Sequence, residues 1–461
     1  MENLFDGIKK VHLIGIGGIG MSGIAEYLAR KKNEVTGSDI LMSPITNRLL
    51  KFGVKIYEGH DEKNLGDDTE LVIYSSAVKD DNEEYKKAIR INKKLIKRAE
   101  ALGNIVNDKF VIAVSGTHGK TTTTAMIAKI LIESKHDPTV FVGGNIDFLD
   151  GGSSRIGKSN IAVVEADEYD RSFLTLNSDI IVITNIDPDH LDIYKDIDDI
   201  KNNFRKFIDN SKKNLKVFAF GDDNNVVDVV KDLKNKTLYG FLKNNDKRID
   251  DVHFGKKGVS YRIDGDYIRL KVLGAHNILN SAATYLIAKQ FNVDDEEFNE
   301  TMQTFHGVKR RLELKYDNGI KIYDDYAHHP TEVKATLSAI RKTNPGRVIT
   351  VFQPHLYSRT RDFYKEFGEA FLETDILLIT NIYPAREKEI EGVSSELIFN
   401  EYSKRKKEGK YIEDKDMILK ELDRITKDGD VIIFQGAGDI TNLCAMYVKQ
   451  VKAKSNWTVP L

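Results

Sequence analysis

The chain has 461 residues, more than one hydrophobic core organises, so about two to four domains are expected and three is the natural division. Its 69 Lys and Arg against 71 Asp and Glu leave a formal net charge of −2, with no global field to hold nucleic acid or an anionic membrane. Cys444 is the single cysteine, which excludes an intrachain disulfide and a cysteine-rich metal site and fits a reducing, cytoplasmic compartment.

No apolar run approaches the ~18 residues of a membrane span, and the polar N-terminus MENLFDGIKK lacks the layout of a secretion signal. Short β-branched runs alternate with longer helical patterns, which reads as βαβ units around parallel sheets, an α/β fold. The first third carries strand candidates at Val11–Ile14, Glu34–Thr36 and Leu71–Tyr74. Phe110–Val114 opens a second unit, with Ile161–Val164 and Ile180–Thr184 beyond it and a more irregular portion around Leu215–Arg269. A third unit starts near Arg311 and holds Ile320–Tyr323, Arg347–Phe352, Ile376–Thr380 and Val431–Phe434. Boundaries are expected near residues 106 and 310.

The first motif is G-x-G-x-x-G at Gly15, Gly17 and Gly20, placed after a strand and before a helix, with Asp39 ending the next strand. Glycines there let backbone amides approach a pyrophosphate, and the acid accepts from a ribose hydroxyl. The pattern leaves open whether the pyrophosphate belongs to NAD or to a UDP-sugar. The second motif, GTHGKTT over Gly116–Thr122, joins a strand to a helix. It is a shortened P-loop, since Val114 stands where the full pattern has its first glycine. Loop amides and the helix N-terminus cradle phosphates, Lys120 reaches the β/γ oxygens, and the Thr121 hydroxyl suits Mg²⁺.

Two acidic strand ends follow, Glu165-Ala-Asp167-Glu168 and Asn185-Ile-Asp187-Pro-Asp189-His190. In a parallel sheet such carboxyl ends lie beside the loop, where hard oxygen ligands for Mg²⁺ are needed. Next comes Gly274-Ala-His276-Asn277, where either His276 or Asn277 faces the nucleotide or Asn277 caps the helix. Lys309, Arg310 and Arg311, near the expected junction, suit a phosphate from a neighbouring domain or a surface charge cluster. Four strands of the third unit end in polar groups: DDYAHHP (324–330), QPHLYSR (353–359), YPARE (383–387) and GAGD (436–439), read as the lip of one site.

Taken together, GIGGIGMSG, SSAV (Ser75–Val78), GTHGKTTT, EADE, NIDPDHLD, HNILN, GVKRR, DDYAHHPTE, FQPHLYSRT and GAGDI resemble the Mur ligase family, in order over nearly the whole chain. The resemblance implies an N-terminal Rossmann-like domain for a UDP-sugar (1–106), a central, mainly parallel P-loop domain for ATP and Mg²⁺ (107–310), and a C-terminal Rossmann-like domain for an amino acid (311–461). It implies a monomeric or homodimeric enzyme whose partners are small molecules. In the reaction the resemblance implies, the lactyl carboxylate of UDP-N-acetylmuramate would attack the ATP γ-phosphate, and the amine of L-alanine would then attack the resulting acyl phosphate.

By resemblance, Gly17, Gly18, Ile19, Gly20, Asp39, Ser75, Ser76 and Ala77 serve the UDP-sugar. Gly116, Thr117, His118, Gly119, Lys120, Thr121 and Thr122 serve the ATP phosphates, with Asn277 at adenine and Arg310, Arg311 and Asp325 as further ATP contacts. Thr121 and Glu165 would hold one Mg²⁺, and Glu165 with His190 a second. His328, His355 and Arg359 would line the amino-acid side, Arg359 as carboxylate clamp because a guanidinium fork suits a carboxylate. The catalytic set is then Lys120, Glu165, His190, His328 and Arg359. Many family members carry a second basic residue where Leu356 stands, so a single-arginine clamp is expected.

Three other readings compete. An NAD(P)-dependent oxidoreductase uses the first glycine loop but leaves GTHGKTT, the acidic pair and the C-terminal lip without a role. A non-enzymatic ATP switch has no need of the first loop. A ligase recycling a murein tripeptide onto the same sugar nucleotide is the nearest competitor. DDYAHHPTE, YPARE and GVSSE (Gly392–Glu396) favour the single amino acid.

Overall fold

A computed structural model describes residues 4–189, 193–255, 258–344, 346–385, 387–405 and 408–455. It is an α/β protein with three sheets, mostly parallel. The backbone forms two compact units: residues 1–252, 261–269 and 279–305 make the first, and 253–260, 270–278 and 306–461 the second.

The first unit opens with a five-stranded parallel sheet, in the order Lys55–Glu58, Glu34–Asp39, Lys10–Ile14, Leu71–Tyr74, Lys94–Lys97. Chain order reverses between Lys10–Ile14 and Leu71–Tyr74, so the glycine loop after one and Ser75–Ala77 after the other flank the crevice where doubly wound sheets take ligands. Val11, Leu13 and Ile14 are fully buried, as expected of a strand covered on both faces.

The same unit holds most of a ten-stranded sheet. Phe110–Ser115 lies inside it, parallel to both neighbours, Ile161–Glu165 and Ile180–Ile183. Glycine loop, Glu165 and Thr184–Asn185 therefore emerge at one sheet edge, because parallel strands present their carboxyl ends together. The portion read as irregular is regular: Lys216–Phe220, Lys236–Gly240, Lys247–Gly255, Gly258–Ile263 and Asp266–Leu270 extend this sheet. Their charged residues hid the pattern, since Lys247–Gly255 buries only one side chain of nine.

The second unit is built on a six-stranded sheet ordered Glu313–Asn318, Ile320–Asp325, Val431–Gln435, Val348–Phe352, Ile376–Ile379, Glu408–Tyr411. Only the first pair is antiparallel. Pro330 at a helix start, with His329 accepting from the Thr331 amide at 3.4 Å, turns the chain from the Asp325 strand end into helix Pro330–Thr343. Among the described residues no helix is long and apolar enough to cross a membrane.

Candidate active site

In the first unit the shortened P-loop runs from strand Phe110–Ser115 into helix Lys120–Glu133. Two glycines are sterically required. Gly116 has φ 133°, and a Cβ on it would lie 2.1 Å from Thr184 Oγ1; Gly119 has φ 84° and faces Asn280 Oδ1 at 2.6 Å. The second acidic loop braces this turn. The His118 amide donates to Asn185 Oδ1 at 2.8 Å, Thr184 Oγ1 donates to the His118 carbonyl at 2.6 Å, and the Asp187 amide donates to Thr117 Oγ1 at 2.9 Å. His118 Nε2 lies 3.2 Å from Asp187. His190 lies outside the described residues.

Lys120 is folded back on its own loop. Its Nζ donates to the Gly116 carbonyl at 2.6 Å, the Thr117 carbonyl at 3.0 Å and Glu168 Oε1 at 2.9 Å. Burial alone would push its pKa down, but Glu168 first, then Asp167 and Glu165, outweigh it and keep the ammonium charged. Thr121 Oγ1 donates to Glu165 Oε1 at 2.9 Å, and the Gly143 amide donates to Glu165 Oε2 at 2.6 Å. Burial raises the Glu165 pKa above the ordinary carboxylate value, against the pull of Lys120 and the Gly143 amide. A Cβ on Gly143 would sit 2.7 Å from Glu165 Oε1, so the strand is shaved to admit the carboxylate. Thr121 and Glu165 thus pair two hard oxygens beside the loop, a donor set that fits Mg²⁺. No group of three or more acidic, His or Cys side chains suited to a metal occurs among the described residues. Thr122 is buried in the first turn of the helix.

In the first sheet, Asp39 Oδ2 accepts from the Gly17 amide at 2.7 Å and Oδ1 from the Ile40 amide at 2.8 Å, so the acid braces the glycine loop. Gly18 caps helix Ile19–Arg30, which places Ile19 and Gly20 in its first turn. Ser75 Oγ accepts from the Ala77 amide at 3.3 Å, and Ser76 Oγ donates to Asp170 at 2.8 Å. Arg98, which the sequence reading passed over, brings Nη1 within 2.7 Å of where a Cβ on Gly20 would stand. Only an arginine seventy-eight positions away in the chain with no motif around it marks the spot, so no local signal pointed to it. Glu168 reads from the sequence only as part of an acidic strand end, and no sequence signal marks Gly143.

In the second unit, Asn277 is buried and turned onto its own helix start, with Nδ2 donating to the Leu273 carbonyl at 2.7 Å. His276 is half-buried, and burial with the nearby Arg311 holds its pKa down to about 4. Arg310 Nη2 donates to the carbonyls of Gly436 at 2.7 Å and Gly438 at 3.1 Å, and Arg311 pairs with Glu332 at 3.3 Å. Both guanidinium groups lie over the Tyr326 ring. Asp325 is buried and accepts from the Leu312 amide at 3.0 Å and Gln435 Nε2 at 3.1 Å; burial pushes its pKa up.

The aromatic lip is continuous. Tyr326, His328, His355 and Tyr383 follow one another at ring distances of 5.2, 5.7 and 5.8 Å. Arg359 is buried in the first turn of helix Tyr357–Ala370, with Nη1 3.3 Å from His355 Nδ1. Leu356, at the cap of that helix, is buried with φ 73°, so no second cation stands there. Glu387 accepts from the Ser358 amide at 3.0 Å, tying the 383–387 segment to the helix start; Arg386 lies outside the described residues.

A Rossmann-like sheet, a P-loop sheet with a Thr–carboxylate pair and a third sheet with an arginine-bearing lip define a nucleotide-using enzyme of Mur ligase architecture. Models of the Mur ligase catalytic domain, the middle domain and the glutamate ligase domain match residues 10–110, 114–288 and 310–438, and the chain belongs to the Mur ligase family. It is 43% identical over 451 residues to the UDP-N-acetylmuramate–L-alanine ligase of Acetivibrio thermocellus, covering 96% of each chain. It is 41% identical over 450 residues to that of Clostridium tetani, covering 96% of this chain and 98% of the relative. The crystal structure of the Thermotoga maritima UDP-N-acetylmuramate–alanine ligase superposes with a TM-score of 0.83 at 28% identity, covering 96% of this chain and 99% of that one.

Proposed function

We propose that the protein joins L-alanine to the lactyl carboxylate of UDP-N-acetylmuramate, cleaving ATP to ADP and phosphate, as a cytoplasmic step of peptidoglycan precursor synthesis. The observation that carries this is the end-to-end likeness to alanine ligases, at 41–43% identity over 450 and 451 residues. The loop geometry supports it with an ATP-type turn and, on a separate sheet, a pyrophosphate-type turn. We further propose the domain division 1–106, 107–310 and 311–461.

Lys120 would leave Glu168 for the β/γ oxygens and offset the charge that builds there as the lactyl carboxylate attacks phosphorus. Thr121 and Glu165 would hold Mg²⁺, which supplies charge neutralisation and alignment of the triphosphate; by resemblance His190 completes a second ion. The products of this step are the acyl phosphate and ADP. Arg359 would hold the alanine carboxylate, with His328 and His355 beside it, so that the amine reaches the acyl carbon and phosphate departs from the tetrahedral intermediate. ATP contacts from Asn277, Arg310, Arg311 and Asp325 are carried by the resemblance. Most of the rate gain would come from placement and fixed charge.

The test is phosphate release with ATP, Mg²⁺ and UDP-N-acetylmuramate, comparing L-alanine with other amino acids and with a cell-wall tripeptide. Release with L-alanine is expected. Release with the tripeptide alone would replace this reading with the recycling ligase.

A further inference from the structure

One carboxylate of the first sheet takes no part in the chemistry above. Glu84, in the first turn of helix Glu83–Arg90, is fully buried. Its Oε2 accepts from Ser38 Oγ at 2.5 Å and lies 3.1 Å from His12 Nε2. Its Oε1 accepts from Asn64 Nδ2 at 2.7 Å and the Asp61 amide at 3.3 Å, with His60 Nδ1 at 3.8 Å. His60 Nδ1 is also 3.0 Å from Ser38 Oγ, and His12 Nδ1 is 2.7 Å from Thr36 Oγ1. Burial would drive the Glu84 carboxyl up, yet hydrogen bonds from His12, His60, Ser38 and Asn64 outweigh it and hold the group ionised, well below the usual range. Replacing a buried ionic hub by apolar packing of the same volume is often neutral or stabilising, so the hub is weak evidence for stability and its contacts are what matter.

What it places is the glycine loop. The Ser38 carbonyl accepts from the amides of both Gly15 and Ile16 at 2.9 Å. The next residue, Asp39, accepts from Gly17 at 2.7 Å. The first three residues of the loop therefore hang on the strand end whose side chain Glu84 grips. Across the crevice, the Ser75 amide donates to the Ile14 carbonyl at 3.2 Å, and the segment it opens leads into the helix that carries Glu84.

We propose that Glu84 is a positioning residue for the UDP-sugar, its buried carboxylate locking Ser38–Asp39 and the His60 segment so that the glycine loop is preset for the pyrophosphate. The inference rests on reading Gly15–Gly20 as the UDP-sugar loop. Glu84→Gln keeps the size but turns an NH₂ group toward donors. The expected result is a rise of about tenfold in the KM for UDP-N-acetylmuramate, with kcat within about threefold and the KM for ATP and alanine unchanged. A lower melting temperature with all three KM values unchanged is the signature of a merely structural group and overturns the proposal.

A pH profile adds a second readout. The hydrogen bond to Glu84 raises the His60 pKa against burial, with Asp39 adding to the rise. The groups facing His60 are Glu84, Ser38 and Asp39, with Asp61 next in the chain and His12 beyond Glu84. In the wild type the KM for UDP-N-acetylmuramate should climb as pH passes that raised value, and in E84Q the inflexion should move to lower pH. An unmoved inflexion counts against the hub. Should E84Q not fold, Ser38→Ala and His60→Gln carry the test, and a KM within about twofold of wild type in both sinks the idea. Gly17→Val, whose side chain would collide with Asp39 Oδ2, is measured in parallel. If it too leaves UDP-sugar binding intact, the loop reading fails; if it abolishes binding while the hub variants do not, only the Glu84 role fails.

Discussion

Gly143→Ala should separate activity from stability at Thr121 and Glu165, the pair proposed to hold Mg²⁺. A Cβ there would lie 2.7 Å from Glu165 Oε1 and 2.9 Å from both Cδ and Oε2. Ordinary contact needs about 3.5 Å, so the nearest carboxylate oxygen must retreat by roughly 0.8 Å. The atoms struck are the far end of a side chain, so the fold yields cheaply, at about 1 kcal/mol, the lower end of overpacking. The position of the ligand does not yield cheaply. The Thr121–Glu165 hydrogen bond, 2.9 Å in this structure, would stretch past useful length. Since ~1 Å of misplacement costs ~100-fold, the rate should fall about 15- to 40-fold, with a higher Mg²⁺ requirement. Phosphate release across an Mg²⁺ titration, beside a thermal melt, measures both. A variant with a wild-type Mg²⁺ curve would refute the assignment of Glu165 as a ligand.

Three further predictions concern other groups. Lys120→Ala should abolish ATP turnover while UDP-sugar binding persists, because the ammonium now 2.8 Å from Glu168 is the group expected to reach the phosphates. Turnover near wild type in Lys120→Ala would remove the loop from the mechanism. Arg359→Ala should raise the KM for alanine far more than that for ATP, and Arg359→Lys should not rescue it, because a point charge cannot replace a fork; equal effects on both substrates would rule out the clamp. His276, held to about 4 when folded, is protonated more readily in the unfolded chain. The unfolded state therefore binds the extra proton between about pH 6.5 and 4, and stability should fall as pH drops through that window. In His276→Gln that portion of the pH dependence should disappear from denaturant melts.

Much of this protein is legible in its sequence because its main signals are local. A strand, a glycine turn and a helix adjoin in Phe110–Glu133 and again in Lys10–Arg30, and the turn chemistry that fits a phosphate is carried by consecutive residues. Parallel strands then bring their carboxyl ends together, which is why the sequence alone sets Glu165 beside Thr121. The strands of 216–270 were harder to see, since their exposed charged faces mask the alternation that marks a strand.

The tertiary structure alone decided the partnerships. Nothing near Lys120 in the chain announces Glu168, forty-eight positions on, and nothing near Gly143 announces that its missing side chain leaves room for Glu165. Asp39 reads as an acid for a ribose, and folding adds a backbone amide to each of its oxygens, which no local pattern foretells. Glu84 reads as an ordinary helix residue and becomes a fully buried anion. The physical reason is common to all four. Sequence patterns record the period of an element and the residues of a turn, whereas the pairing of a buried charge is settled by whichever distant donors the packed strands deliver to it.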